Sequence, residues 1–174
     1  TASLAELAAA CDVVVVLVVN AAQTEQVLFG SGHDGLAATM RRGGVIVTSA
    51  TVDPALPPRW AARLSEAGLH LIDGPVSGGP KKAAEGQMTV MASGTPEAFA
   101  AAGTALDAIA GKVYRLGDKP GAGSTVPPFF MRGIRLAGST PRVSTVLSRS
   151  PGPRTGMLYI CASAGASAMW SKWP

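Results

Sequence analysis

The sequence predicts an α/β fold built on a doubly wound, mostly parallel sheet. Short apolar runs at 13–19, 45–47 and 69–72 alternate with helical patterns of about ten residues. Six of the seven positions in the run at 13–19 are valine, which disfavours a helix and is typical of a strand buried on both faces. Ligands of such sheets bind beyond the carboxyl ends of the strands. We therefore expect one crevice near Asn20, Thr51 and Ser77.

Caps and stop residues predict the helices. Ser3 and Glu6 form a capping box before a short helix at 7–10. Asp34 is expected to cap another helix, and Thr95 a long one that ends near Ala110. The predicted helices lie at 7–10, 24–29, 34–41, 59–67 and 95–110. Strands at 88–92 and 112–116 are predicted to complete the sheet as edge strands.

The composition is that of a folded chain. Of 174 residues, 47% are hydrophobic and only 15% are charged. The longest apolar run, at 13–19, is far shorter than the ~20 residues of a membrane span, so no membrane partner is expected. No secretory signal opens the sequence, and Cys11 and Cys161 are too few for a disulfide framework. We expect reduced thiols in a cytoplasmic protein.

The charge is distributed unevenly. Residues 1–118 hold eight Lys/Arg against eleven Asp/Glu, a net −3, whereas residues 119–174 hold seven Lys/Arg and no acid, a net +7. With Phe129, Phe130 and Trp170 nearby, this basic tail leaves open a function in binding nucleic acid. A basic run without a recognised motif is usually solvated surface, so no nucleic-acid partner is the main expectation.

One stretch carries the chemistry: Asp73-Gly74-Pro75-Val76-Ser77-Gly78-Gly79. Pro75 has no N–H, so we expect the strand at 69–72 not to continue past it. Two glycines after Ser77 let a ligand approach the backbone and let several N–H groups point at one spot, which suits a carboxylate or a phosphate. A tight surface turn is the alternative interpretation.

This stretch resembles the signature D-x-P-V-S-G-G…A…G…T-x-M of the 3-hydroxyisobutyrate dehydrogenase family of NAD(P)-dependent β-hydroxyacid dehydrogenases. Ala83, Gly86, Thr89 and Met91 fall in step with it. The resemblance extends over residues 2–126. Segments 13–30, 87–94 and 111–118 are most similar to the L-threonate dehydrogenase branch.

The resemblance implies an incomplete Rossmann-type sheet. Residues 1–120 would be the C-terminal part of a dinucleotide-binding domain, and residues 121–174 a remnant of a disrupted, all-helical domain. It implies binding residues in three groups: Val18, Val19, Asn20 and Gln23 along the dinucleotide, Thr51 by the nicotinamide, and Ser77, Gly78 and Gly79 around the substrate carboxylate. Asn20 and Thr51 are alternatively plain cap or loop residues. No catalytic residue and no metal ligand are predicted.

Two expected parts of such an enzyme are absent from the sequence. Nothing before Ser3 supplies the strand, G-x-G-x-x-G turn and helix that would bind the pyrophosphate. After the predicted hinge Gly121-Ala122-Gly123, Pro127 stands where the family has its catalytic lysine, and Met131 where it has an asparagine. We therefore expect a piece of a longer enzyme that is inactive as written. A reading-frame error across 127–157 is a hypothesis for the divergence.

The predicted function is NAD-dependent oxidation of a small hydroxy acid by hydride transfer, with L-threonate at C2 as the first candidate. Activity on 3-hydroxyisobutyrate or tartronate semialdehyde stays open, as does NADP as the cofactor. Two alternatives of another class stay open: the chain is a non-catalytic remnant, or it binds nucleic acid through the basic tail. Members of the family form homo-oligomers, whereas the state of this chain stays open.

Overall fold

A computed structural model describes residues 3–31 and 33–125, together with the backbone of 146–148 and 158–162. Its helices are α1 Leu4–Ala10, α2 Ala21–Phe29, α3 Leu36–Thr39, α4 Leu56–Glu66, α5 Gly79–Ala84 and α6 Pro96–Ile109. Its strands are β1 Val13–Leu17, β2 Val45–Thr48, β3 His70–Asp73, β4 Val76–Ser77, β5 Met88–Gly94, β6 Ala110–Gly117, β7 Val146–Ser148 and β8 Leu158–Ala162. The described strands form one sheet in the order β4-β5-β3-β2-β1-β8-β7, with β6 paired to β5.

Three parallel strands, β1, β2 and β3, form the centre of the sheet, as the sequence predicted. Val16 of β1 pairs with Thr48 of β2, which pairs with Asp73 of β3. Successive side chains of β1 alternate between two cores: Val14 and Val16 pack with residues of α1 to α4, and Val13 and Val15 with residues of α6. The α/β class and the two-sided burial of β1 are confirmed.

Strand β3 ends at Asp73, before Pro75, as predicted, but the pairing with β5 does not stop there. After β3, the chain resumes as β4 and keeps one antiparallel register along β5, with Asp73 opposite Ser93 and Ser77 opposite Thr89. Pro75 still accepts a hydrogen bond at its carbonyl from the Met91 N–H, at 3.0 Å. Proline removes only one donor, so the pairing of the strands continues around it. Because β5 also pairs with β6, β5 is not the edge strand that was expected.

Helix ends follow local hydrogen bonds. The capping box is supported by a 3.2 Å bond from the Glu6 N–H to Ser3 Oγ, and Thr95 caps α6 through the Ala98 N–H at 3.2 Å. Asp34 does not cap the next helix, because its Oδ1 accepts from the Ser31 N–H at 2.7 Å. Helix α3 is accordingly shorter than predicted, and its N-cap is Gly35. The short helix α5 was not predicted.

Two details of the chain differ from expectation. Cys11 is disulfide-bonded, so the prediction of a reduced thiol was wrong at this position.

Strand β8 pairs antiparallel with β1, and β7 with β8, within the segment that was expected to be a helical remnant. On the side away from β2, the backbone donors and acceptors of β1 are satisfied by β8. The division of the chain at residue 120 stays a prediction. Among the described helices, none has both the length and the apolarity of a bilayer span.

Candidate functional site

The register of the parallel strands brings three predicted site segments to one edge of the sheet. Val16, Thr48 and Asp73 lie side by side at the carboxyl ends of β1, β2 and β3. Asn20, Thr51 and Ser77 follow them by three or four residues, which is about 10–13 Å of extended chain. The segments after β1 and β2 therefore leave the sheet at its carboxyl edge, where ligands of such sheets bind. Ser77 lies beyond the carboxyl end of β3 but stays in the sheet as part of β4.

The first segment is the start of α2, which Asn20 and Gln23 cap together. Asn20 Oδ1 accepts from the Gln23 N–H at 2.9 Å, and Gln23 Oε1 accepts from the Val19 N–H at 3.0 Å. Both side chains thus use an oxygen within the helix terminus, which supports the alternative role of Asn20 as a cap. The N–H groups of Ala21 and Ala22 lie in the first turn and have no acceptor within the helix.

The two valines before this helix have different surroundings. Val18 is buried in the core, whereas Val19 is 74% exposed. Of these two residues, Val19 is the one with an exposed apolar side chain at the edge of the sheet. A contact of Val18 with a ligand is therefore limited to its backbone.

The second segment contains a polar group that the sequence reasoning missed. Ser49 directly follows β2 and is 4% exposed, and its N–H donates to the Val16 carbonyl oxygen at 2.9 Å. Its hydroxyl has no hydrogen-bond partner among the described residues. Thr51, two residues on, is exposed. A polar residue immediately after a buried strand was the available signal for Ser49.

The third segment combines two unusual glycine conformations. Gly78 has φ 144° and Gly79 has φ 70°, values that only glycine adopts readily. A Cβ on Gly78 would lie 2.9 Å from Lys82 Cβ, whereas a Cβ on Gly79 would meet nothing within 4 Å. Outside helices and strands, the described backbone hydrogen bonds include none from either N–H. Ser77 is half-buried, and both glycines are exposed.

Asp73 is not part of this exposed segment, although it belongs to the same sequence signature. Its side chain is fully buried. Oδ2 accepts from the N–H groups of Ser124 at 2.8 Å and Gly121 at 3.1 Å, and Oδ1 accepts from Ser124 Oγ at 2.7 Å. Burial raises the pKa of Asp73 above its ordinary value of 3.8, against these hydrogen bonds, which lower it.

Other features of the sequence contribute no described group to this edge. Residues 30–35 read G-x-G-x-x-G, a pattern that the sequence reasoning did not weigh. The stretch follows helix α2 rather than a strand, so it lacks the geometry of a phosphate-binding turn. Pro127, Met131 and the aromatic residues of the basic tail lie outside the described residues. Within the described ranges, no cluster of three His, Cys, Asp or Glu side chains is arranged to hold a metal ion.

Comparisons with known proteins agree with a dinucleotide-binding sheet. Residues 1–117 match the model of the NAD binding domain of 6-phosphogluconate dehydrogenase. The L-threonate dehydrogenase of Cupriavidus necator is 46% identical over 173 residues, which are 98% of this chain and 58% of that protein. The L-threonate dehydrogenase of Escherichia coli K12 is 40% identical over 161 residues, 91% of this chain and 52% of that protein.

A solved structure supports the same fold. The crystal structure of 3-hydroxyisobutyrate dehydrogenase from Salmonella typhimurium is 50% identical, with a TM-score of 0.67, over 71% of this chain and 42% of that one. The chain thus spans little more than half the length of the curated relatives it matches. The similarity to the Cupriavidus protein also extends beyond residue 126.

Proposed function

Because the chain belongs to the family of the NAD binding domain of 6-phosphogluconate dehydrogenase, we propose that it forms the cofactor-binding part of an NAD-dependent dehydrogenase of small hydroxy acids. L-threonate is the first candidate substrate, since the Cupriavidus and Escherichia relatives are named L-threonate dehydrogenases. The observation that carries the proposal is the register of β1, β2 and β3. Because these three strands end beside one another, the register supports a shared site for Asn20, Thr51 and Ser77.

The residues along this edge suit a dinucleotide. The first-turn N–H groups of α2 provide donors, and the exposed Val19 provides an apolar contact for a ring. The buried Ser49 hydroxyl needs a partner, and a polar group of a bound cofactor beside Thr51 would satisfy it. NAD, when bound, supplies the acceptor for the hydride that leaves the hydroxy acid.

The substrate's carboxylate is assigned to Ser77, Gly78 and Gly79, which we call the carboxylate cradle. The N–H groups of the two glycines and the Ser77 hydroxyl supply donors for its oxygens. Lys81 and Lys82 follow in α5, are exposed, and add positive potential that attracts an acidic substrate.

Oxidation at C2 requires two transfers from the substrate. The C2 hydrogen leaves as a hydride, the hydroxyl proton passes to a base, and a ketone remains. Proline has no group that takes a proton, so a chain with Pro127 at the position of the lysine is expected to show no turnover. A normal rate with L-threonate and NAD would contradict this part of the proposal.

Calorimetric titration with NADH, followed by L-threonate, tests the binding functions. We expect saturable NADH binding, weakened by the missing pyrophosphate-binding turn, and hydroxy-acid binding that Ser77→Ala weakens by about five- to tenfold without changing NADH binding. The matched control is Ser65→Ala, an exposed serine of α4, which should change neither. Absence of saturable NADH binding would refute the proposal.

A second candidate substrate is 3-hydroxyisobutyrate, favoured by the name of the Salmonella structure. Both acids carry the carboxylate that the cradle would bind, so the same titration with each acid distinguishes them by affinity. The setting we propose is the cytoplasm, without a membrane or nucleic-acid partner. Whether the chain forms a homo-oligomer is decided by its mass in solution.

A further inference from the structure

A buried carboxylate connects two segments of the site that are distant in sequence. Asp73 lies at the end of β3, four residues before Ser77. All three of its shortest hydrogen bonds come from one turn, residues 121–125. We call this segment the glycine turn. The residue that binds the glycine turn, Asp73, therefore lies in the same stretch of chain as the carboxylate cradle.

Ser93 adds a second attachment beside the first. It lies opposite Asp73 in the β3–β5 pairing, and its Oγ accepts from the Gly123 N–H at 2.9 Å. The same hydroxyl lies 3.5 Å from Asp73 Oδ2. Strand β5 also holds the cradle, since Thr89 pairs with Ser77. Both ends of β5 thus contact a part of the site.

The burial of the Asp73 carboxylate lowers the stability of the fold unless hydrogen-bond donors replace the lost water. Burying a carboxylate is unfavourable, and no charged side chain in the described part of the chain contributes to the pKa of Asp73. The compensating donors are two N–H groups and a hydroxyl from the glycine turn, and removing any of them leaves a buried charge less satisfied. A surface turn would need no such acceptor to form.

We propose that Asp73 and Ser93 are positioning residues that fix the glycine turn to the β3–β5 pair. They thereby set the direction in which the chain leaves the sheet, relative to the carboxylate cradle. The inference rests on the proposed function for the role of the cradle. It adds that the predicted hinge at Gly121-Ala122-Gly123 is clamped at its start rather than free.

Amide hydrogen exchange of the whole chain, resolved by NMR and measured without cofactor or substrate, tests the clamp. Asp73→Asn should lower the protection of the Gly121 and Ser124 amides by about tenfold or more, because it removes a charged acceptor. The β1 and β2 amides of Val14 and Val47 should keep their protection. The control is Asp107→Asn, an exposed aspartate of α6.

A spectroscopic signature separates positioning from general stabilisation. In the unsubstituted chain, the amide proton shifts of Gly121 and Ser124 should move as the Asp73 carboxyl titrates, and Asp73→Asn should abolish that movement. If Asp73→Asn does not fold, Ser93→Ala provides the test. It should lower the protection of the Gly123 amide by about fivefold, with Ser65→Ala as its control.

Unchanged exchange protection of the glycine-turn amides in the folded variants would overturn the proposed clamp. So would Gly121 and Ser124 amide proton shifts that do not change as the Asp73 carboxyl titrates. Neither result would affect NADH binding, which is measured separately. Conversely, an intact clamp in a chain that binds no NADH would refute the proposed function and leave the attachment of the turn established.

Discussion

A side chain at Gly123 would collide with the backbone of the sheet, so Gly123→Ala should destabilise the fold strongly. An added Cβ would lie 2.5 Å from the Asp73 carbonyl oxygen and still nearer to the Met91 carbonyl oxygen. Both oxygens belong to paired strands, which cannot move without disturbing the sheet. Restoring an ordinary carbon–oxygen distance of ~3.3 Å requires the turn to withdraw by about 0.8 Å.

That displacement breaks the hydrogen bonds that hold the turn. The Gly123 N–H lies 2.9 Å from Ser93 Oγ, and the Ser124 N–H lies 2.8 Å from Asp73 Oδ2. Lengthening each by about 0.8 Å exceeds hydrogen-bonding range. Losing one neutral bond costs about 1 kcal/mol, and losing one to a carboxylate about 1.5–3 kcal/mol. The reduced entropy of the unfolded alanine chain returns about 0.4–1 kcal/mol, so the expected net loss is roughly 1.5–3.5 kcal/mol.

Urea unfolding followed by far-UV circular dichroism measures this loss, and the chain offers a matched control. Gly103 lies inside α6, and a Cβ there would meet nothing within 4 Å. Gly103→Ala should therefore raise the free energy of unfolding by about 0.5–1 kcal/mol, because alanine is the better helix former. If Gly123→Ala unfolds within ~0.5 kcal/mol of the unsubstituted chain, the close packing of the turn is refuted.

Three further outcomes are expected. Asn20→Ala should lower the free energy of unfolding by about 1 kcal/mol in urea, because α2 loses its cap; no change would remove Asn20 from that role. Gly79→Ala should cost about 1 kcal/mol from its φ of 70°, and an unchanged urea midpoint would contradict that conformation. The pKa of Asp73 is raised on folding, so its protonated form stabilises the fold fully below pH ~4, and this contribution is lost as pH rises through the folded-state pKa. Asp73→Asn should remove that slope from a pH series of unfolding curves, and an identical slope would refute the assignment.

The central strands were predictable because burial on both faces leaves a direct trace in sequence. β1, within the valine run, supplies side chains to both cores, so nearly every position had to be apolar. The caps Ser3 and Thr95 were also predictable, since a cap is a local bond between residues three apart. These features depend on the order of neighbouring residues rather than on contacts between distant ones.

The errors arose where partners distant in sequence decide the structure. Strand β3 ends before Pro75 as expected, but β4 beyond it was not predicted, because the partner β5 preserves the register on both sides. Asp34 was expected to cap a helix, but it bonds backward to the Ser31 N–H instead. The role of Ser93 could not be read from the sequence either, because its position opposite Asp73 follows from the β3–β5 register alone.

The sequence signature that begins at Asp73 therefore contains two kinds of residue with different physical duties. Asp73 is buried and accepts hydrogen bonds from a turn about fifty residues away (48 to Gly121 and 51 to Ser124). Gly78 and Gly79 are exposed, have positive φ, and present N–H groups at the edge of the sheet. A substitution in the first group should alter where the chain leaves the sheet, and one in the second should alter what the edge binds. A match to the whole signature cannot separate these two effects. Hydrogen exchange at the Gly121 amide reports on the first, and the affinity for a hydroxy acid reports on the second.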